Sequence, residues 1–535
     1  MRLDVSLLPN RRFPRGARLP RVAILGAGFG GLCAAIRLQQ AGLTEFTIYE
    51  KSDGVGGTWR DNSYPGAGCD VPSHLYSFSF ASERNWTRKF ARQPEILDYI
   101  ERITDRYGLR RHLRCNTTVT RLDWSDDDRT WTLTFADGTT AVADVVIAGL
   151  GQLNRPAFPD IAGRETFAGT TFHSARWDHD HDLTGERVAV IGSGASAVQF
   201  IPEVQRQAGE LVVFQRSPNW IMPRNDRAFT DAERRRFATV PGWQRLYRSF
   251  IYWTFETRFF ALQEGSKAGP IAAKITKDYL RKEVADPELR AKLTPDYPVG
   301  CKRILISDDF YRALTQPNVE VVTDRIDRIE ADAVVTADGR RREVDTIIYG
   351  TGFRSTEFLA PLEVHGRGGV DLHEVWRDGA EAYEGITVSG FPNLFVLYGP
   401  NTNLGHNSII FMLECQVHYV MALLHRMVAD GLAAVDVRPE VQASYNAEIQ
   451  ASVKRLVWAS DQCSSWYKTD SGKVTNNWPH YTIQYWARTR TPNLDAYEGS
   501  GVKTTMTAAV PAWARPAEAP LSPRDAASTG RRSCT

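Results

Sequence analysis

Residues 26–31 read GAGFGG and stand between a short apolar run, RVAIL, and an apolar-faced stretch, LCAAIRLQQAG. Gly26 permits a tight turn, Gly28 lets an anion approach the backbone, and Gly31 lets strand and helix pack closely. The helix N-terminus behind them faces the anion. Glu50 ends the next predicted strand, FTIYE. A carboxylate there accepts hydrogen bonds from a ribose diol and repels a 2′-phosphate, which favours FAD or NAD over NADP. A second loop, GSGASA at 192–197, supplies Gly192, Gly194 and Ala197 after the strand RVAVIG. The strand beyond it ends in Gln215-Arg216-Ser217 and carries no acid. Arg216 is suited to pair with a 2′-phosphate and Ser217 to hydrogen-bond it. The second nucleotide is read as NADPH, and FAD with NADPH is the simplest combination.

The rest of the composition narrows what two nucleotides could do. A disulfide reductase would need a close redox pair of cysteines. The seven Cys lie at 33, 69, 115, 301, 415, 463 and 534, with no CxxC among them. Their odd number and wide spacing read as a reduced, cytoplasmic protein. A net charge of +2 makes no electrostatic case for nucleic acid or an acidic membrane. No run of 18 apolar residues exists, so no transmembrane segment is expected. His179 and His181 flank acids in DHDHD, but without other close ligands they read as a solvated loop, and no metal is expected.

With 535 residues the chain is too long for one compact core. The first strand–turn–helix–strand unit occupies 21–50, and the strand DVVIAG follows the Asp137-Gly138 turn. The second unit begins at Glu186. Residues 228–295 read as a helical insert, with Thr230 and Glu233 as a capping box and Asp286-Pro287 as another helix start. Its aromatic segment 243–265 is read as core packing, with a substrate tunnel second and a membrane interface also open. A helix is expected from about 408 to 430, stopped by Gly431. The fold class is α/β: two Rossmann-like dinucleotide-binding domains, the second inserted into the first. The expected division is 20–155 with 350–503, and 156–349 between them. The Arg-rich start, 1–19, and the Ala-, Pro-, Ser- and Thr-rich end, 504–535, read as disordered tails.

Residues 167–178, FAGTTFHSARWD, place Phe167, Gly169, His173, Trp177 and Asp178 between the two glycine loops. With those loops they resemble the FxGxxxHxxxW(P/D) fingerprint of Baeyer–Villiger monooxygenases. GGTWRDNSYPGAGCD at 56–70 resembles a second pattern of that family, matched at Gly56 or Gly57, Trp59, Tyr64, Pro65, Gly66 and Asp70. The resemblance covers about residues 20–500. It implies that Gly57, Thr58, Trp59 and Asp70 lie at FAD, with the glycines letting backbone come close to the flavin. GCKR at 300–303 resembles the segment in which Lys302 helps bind the NADPH phosphate and Arg303 faces the flavin. Asn401, in GPNTN, would touch the isoalloxazine edge, and Trp466 the nicotinamide ribose. YGTGF at 349–353 resembles a hinge segment. His173, at the linker between domains, would couple movement of the NADPH domain to catalysis.

The function implied is insertion of one atom of O2 beside a ketone carbonyl, giving an ester or lactone through a C4a-peroxyflavin. Its substrates would be O2 and a small apolar ketone. Arg303 would supply a fixed cation and Asp70 would orient it. Oxygenation of sulfur or nitrogen in soft nucleophiles is the alternative. A non-catalytic flavin-binding redox sensor is a third reading.

Overall fold

The computed structural model describes residues 12–14, 16–460, 462 and 465–501. The expected tail at 504–535 and most of 1–19 lie outside these residues. Ten strands form two five-stranded parallel sheets. In chain order they are β1 (Val22–Leu25), β2 (Phe46–Tyr49), β3 (Leu113–Arg114), β4 (Val145–Ala148), β5 (Thr170–His173), β6 (Arg187–Ile191), β7 (Glu210–Phe214), β8 (Val319–Val322), β9 (Thr346–Tyr349) and β10 (Leu394–Val396).

The first sheet runs β10-β4-β1-β2-β3 and the second β8-β7-β6-β9-β5. Central strands such as VAIL, VVIA and TIIY are buried along their whole length. Continuous apolar runs are what a parallel strand needs when both sheet faces are covered. β10 pairs with β4, Leu394 against Val146, so the first sheet is completed only after the second has closed. The second sheet's strands all lie between 170 and 349. Two smaller sheets accompany this pair, antiparallel except that Glu363–His365 runs parallel to Val119–Ser125. One joins strands Val119–Ser125, Thr130–Phe135 and Thr140–Ala143 with Glu363–His365, and Gly138 takes φ +82 in its expected turn. The other joins Ile326–Ile329, Ala333–Thr336 and Arg341–Glu343.

Helix α1 (Phe29–Gln40) follows the first glycine loop, and α2 (Ala195–Gln205) the second. Residues 228–295 hold the expected helices, among them α3 (Trp243–Glu256). The capping box of Thr230 with Glu233 is formed, and Asp286 caps Pro287–Lys292. The core reading of the aromatic segment holds for one face of α3. Ile251, Tyr252 and Phe255 are buried, whereas Leu246, Phe250 and Trp253 are exposed. The helix expected near 408–430 is α4 (Ile409–Asp430), which packs on α1 and is closed by Gly431 in the left-handed region. Cys33, Cys69 and Cys415 are buried and free, but Cys115 and Cys301 are disulfide-bonded. The reading of every thiol as reduced is corrected for those two.

The two glycine loops differ for a steric reason. A Cβ added at Gly31 would collide with the Gly26 carbonyl oxygen and come to 3.2 Å from Ile24 Cγ2. Ala197, at the matching place in the second loop, already carries its methyl and is fully buried. Gly31→Ala is therefore expected to cost about 1–3 kcal/mol in urea denaturation through overpacking. Ala197→Gly should cost about 1 kcal/mol or less from helix propensity, unless the lost methyl leaves a void. A Gly31→Ala protein as stable as the parent would contradict this packing.

Candidate active site

The first loop is shaped by close backbone approaches. Gly26 has φ +93, and a Cβ there would lie 2.8 Å from the Gly149 carbonyl oxygen. Gly28 is the N-cap of α1 and provides no side-chain cap, so the first-turn N–H groups are open to an anion. Gly57, at φ +52, faces Gly28 across the loop. Glu50 is buried and accepts from Ala27 N at 2.7 Å and Ser52 N at 2.9 Å. It thus locks the glycine turn, and an ionised carboxylate keeps lone pairs for a further donor. Thr58 opens a short helix, Thr58–Asp61, and Trp59 donates its Nε1–H to Tyr76 Oη at 3.1 Å.

The second loop repeats the plan. Gly192 has φ +105 with the Gly350 carbonyl against it, and Gly194 is the uncapped N-cap of α2. At the end of β7, Arg216 is exposed, and Ser217 accepts from Lys302 Nζ at 2.8 Å. Burial and then the Arg216 charge lower the Lys302 pKa. Arg216, Ser217 and Lys302 thus meet as a cationic cluster beyond the second sheet, with no carboxylate in the place Glu50 holds in the first.

Asp70 and Arg303 also meet. Arg303 donates from Nε at 3.0 Å and Nη2 at 2.6 Å, both to Asp70 Oδ2, and from Nη1 to the Leu404 carbonyl at 3.4 Å. Both side chains remain about 30% exposed, 28% for Arg303 and 30% for Asp70, so the pair borders open space. Burial pushes the Asp70 carboxyl up, but the Arg303 charge and hydrogen bonds outweigh it and the net shift is down. Asp70 raises the Arg303 pKa in turn, against burial. Both groups stay ionised through the neutral range.

The loop that carries Asp70 is gripped from several sides. Arg92 donates to the Gly66 carbonyl at 2.8 Å, and buried Arg224 to the Cys69 carbonyl at 2.6 Å. Gln199 of α2 accepts from Gly68 N at 3.2 Å and donates to Gly68 O at 2.9 Å. A Cβ on Gly66 would collide with the Gln199 backbone carbonyl, and one on Gly68 would lie 3.2 Å from Arg224 Nη2. These two glycines admit α2 and Arg224. Arg92, Gln199 and Arg224 were not among the expected site residues. Their one sequence signal is the glycine spacing of PGAGCD.

His173 ends β5 and is 1% exposed, with its ring near Phe158 and Phe353. Those rings belong to two linkers that pair with each other: Pro156 bridges Phe353, and Ala157 N donates to Gly352 O at 2.9 Å. Among the other fingerprint residues, Phe167 is partly buried and Gly169 is pressed against the Asp345 carbonyl. Trp177 packs on Phe172 and Phe200, and Asp178 accepts from Asp180 N. Asn401 is buried and donates to the Val474 and Asn477 carbonyls, tying two loops together, while its Oδ1 has no hydrogen-bond partner. Trp466 is partly buried, stands 4.5 Å from Tyr467, and accepts at its carbonyl from Ser355 and Asn476. His179 bonds Ser63, and His181 bonds Glu186 and Thr346, so His181 is tied to the second sheet and is not solely a solvated loop residue.

Burial lowers the His173 pKa to about 4, with a Gly352 backbone bond opposing and Arg176 assisting. The imidazole is neutral at working pH. In the unfolded chain it titrates near 6.5, so between 6.5 and about 4 only the unfolded state takes up the proton. Stability is full above 6.5 and falls as pH drops to about 4, by at most about 3 kcal/mol from this group. In His173→Asn, unfolding free energy from urea titrations should depend less steeply on pH in that window. An unchanged slope would overturn the buried neutral assignment.

The geometry can now be set beside known proteins. The Flavin-binding monooxygenase-like family matches residues 19–362. A Pseudomonas aeruginosa protein named Baeyer–Villiger monooxygenase is 45% identical over 503 residues, 94% of this chain and 95% of that one. One of the same name from Streptomyces coelicolor is 45% identical over 89% of this chain and 92% of its own length. Among solved structures, closed cyclohexanone monooxygenase gives a TM-score of 0.82 at 28% identity, covering 91% of this chain and all of that chain. Oxidized steroid monooxygenase bound to NADP gives 0.81 at 32% identity, covering 90% of this chain and all of that one. By these matches and the paired glycine loops, the chain belongs to the flavin-binding monooxygenase-like family, among its Baeyer–Villiger monooxygenases.

Proposed function

We propose that this protein is an FAD- and NADPH-dependent Baeyer–Villiger monooxygenase that converts a small apolar ketone and O2 to an ester or lactone. The observation that carries the reading is the Asp70–Arg303 pair, which joins a loop of the first sheet to a segment of the second beside open space. Cyclohexanone monooxygenase and steroid monooxygenase, which share the architecture, support it.

The residues present fit both nucleotides. Two uncapped helix N-termini stand behind tight glycine turns, in which Gly26, Gly31 and Gly192 have no room for a Cβ and Gly28 and Gly194 leave the helix ends uncovered by a side chain, as a pyrophosphate requires. In this reading Gly26, Gly28, Gly31, Glu50, Gly57, Thr58 and Trp59 hold FAD. Gly192, Gly194, Ala197, Arg216, Ser217 and Lys302 hold NADPH, the last three at its 2′-phosphate. Residues 20–155 with 350–503 then form the FAD-binding domain and 156–349 the NADPH-binding domain. NADPH demand places the enzyme in the cytoplasm; the cysteines no longer argue for it. Among the described residues, no helix is long and apolar enough to cross a membrane.

When bound, the flavin and nicotinamide supply the redox chemistry and activate O2. The chain supplies charge and position. Arg303 holds a fixed positive charge where anionic oxygen develops, and its raised pKa makes it a charge stabiliser and not a proton donor. Asp70 aims the guanidinium by accepting two of its N–H groups. A fixed cation favours a nucleophilic anion and hence ketone attack over sulfur or nitrogen oxygenation.

The test is purification with flavin absorbance, then NADPH oxidation in air with cyclic, aryl and steroid ketones, and mass analysis of products. A ketone-dependent product one oxygen atom heavier is expected. Oxygen gained only by sulfides or amines would replace this reading with the alternative. In Arg303→Ala, product formation should fall about a hundredfold or more while NADPH is still consumed. In Arg216→Ala, KM for NADPH should rise about tenfold with KM for NADH nearly unchanged.

A further inference from the structure

The Asp70–Arg303 pair is only as well aimed as the loop that carries Asp70. That loop, residues 64–70, has almost no secondary structure of its own, and two of its residues, Gly66 and Gly68, are glycines. The side chain that touches it most is Gln199, on α2 directly behind the second glycine loop. Its Oε1 accepts from both Tyr64 Oη at 3.0 Å and Gly68 N at 3.2 Å, and its Nε2 donates to Gly68 O at 2.9 Å. One amide thus satisfies both backbone polar groups of Gly68, as a neighbouring β-strand would. The Tyr64 phenol is buried and its pKa is pushed up to about 12, so it remains a donor. Arg224 holds the next carbonyl, that of Cys69, and Asp70 follows it.

We propose that Gln199 is a positioning residue for oxygen transfer: by pairing with both backbone groups of Gly68, it sets Asp70 in register with Arg303 from the helix that opens on the nicotinamide nucleotide. The assignment rests on the proposed function for its catalytic consequence and on the hydrogen bonds alone for its structural one. The helix whose N-terminus faces the nucleotide's phosphates is the same helix that holds the Asp70 loop. Binding at one end and the aim of Arg303 at the other are joined through a single side chain.

Three near-isosteric variants separate this role from space filling. Gln199→Met keeps the volume and removes every hydrogen bond. Gln199→Glu keeps the acceptor toward Tyr64 and Gly68 N but sets a carboxylate oxygen against the Gly68 carbonyl. Tyr64→Phe removes one bond and leaves the clamp on Gly68.

Product formed per NADPH consumed should fall about tenfold in Gln199→Met and at least as far in Gln199→Glu, with flavin content and the rate of flavin reduction unchanged; Tyr64→Phe should fall less than threefold. In Gln199→Glu, coupling should recover as pH falls below about 6, because a part-buried carboxyl set against the Gly68 carbonyl oxygen protonates there and regains a donor for it. Gln199→Met should show no such recovery. Amide hydrogen exchange on the purified proteins gives an independent readout: residues 64–70 should exchange about tenfold faster in Gln199→Met, with β1 and β6 unaffected.

Full coupling and unchanged exchange in both Gln199 variants would overturn the assignment. So would full coupling and unchanged exchange in Gln199→Met with losses only in Gln199→Glu, which would mark a space-filling role. If the parent oxygenates no ketone, the proposed function fails, and the exchange data still decide whether Gln199 clamps the loop.

Discussion

The contact on which the site depends is an ion pair between residues 233 positions apart, Asp70 and Arg303. Neither group is set by its own secondary structure. Asp70 ends an irregular loop, and Arg303 lies in the short segment that returns from the helical insert to the second sheet. A partly buried pair of this kind adds little net stability, because desolvation offsets the attraction. Removing one partner is worse, since it leaves a lone charge in a poor solvent. The pair is therefore better explained by what it aims than by what it holds together. Backbone donors and acceptors do the holding: Gly66, Gly68 and Cys69 each give a carbonyl to a side chain from elsewhere in the chain.

Much of the architecture was legible because it follows from period and turn chemistry. Buried parallel strands read as continuous apolar runs, and the glycine loops, the Thr230–Glu233 box and the Gly431 stop each have a local steric or hydrogen-bonding cause. Ser217 was legible from the strand end and Lys302 from the resemblance, but their contact across 85 residues was not. Gln199 was not legible, because a side chain that bonds a distant backbone leaves no mark at its own position. The only trace was at the other end, where Gly66 and Gly68 avoid Cβ atoms that would strike α2 and Arg224. The core reading of helix α3 holds for one face only, for a different reason. It is apolar on two faces, and periodicity cannot say which of two apolar faces meets the core.

Two kinds of tie join the sheets, and they differ in strength. The linkers at 156–158 and 351–353 are covalent. They also pair with each other, through Ala157 N to Gly352 O and Thr351 Oγ1 to Ala157 O, beside the buried ring of His173. The tie at residues 64–70 is made of the Asp70–Arg303 ion pair, neutral amide and phenol bonds to Gln199, and the Arg224 contact with the Cys69 carbonyl. Each neutral bond contributes about 1 kcal/mol net, since water competes for the same groups. A rotation of the second sheet's unit relative to the first would have to break the Asp70–Arg303 and Arg88–Asp226 ion pairs as well as the neutral bonds. Motions of that kind run on microsecond to millisecond scales, fast enough for a turnover cycle. An oxygenating enzyme must let a nicotinamide reach the flavin and then present a fixed cation to the oxygen that follows. The clamp at Gly68 meets the second need, because it keeps the Asp70 loop, and with it the aim of Arg303, in place.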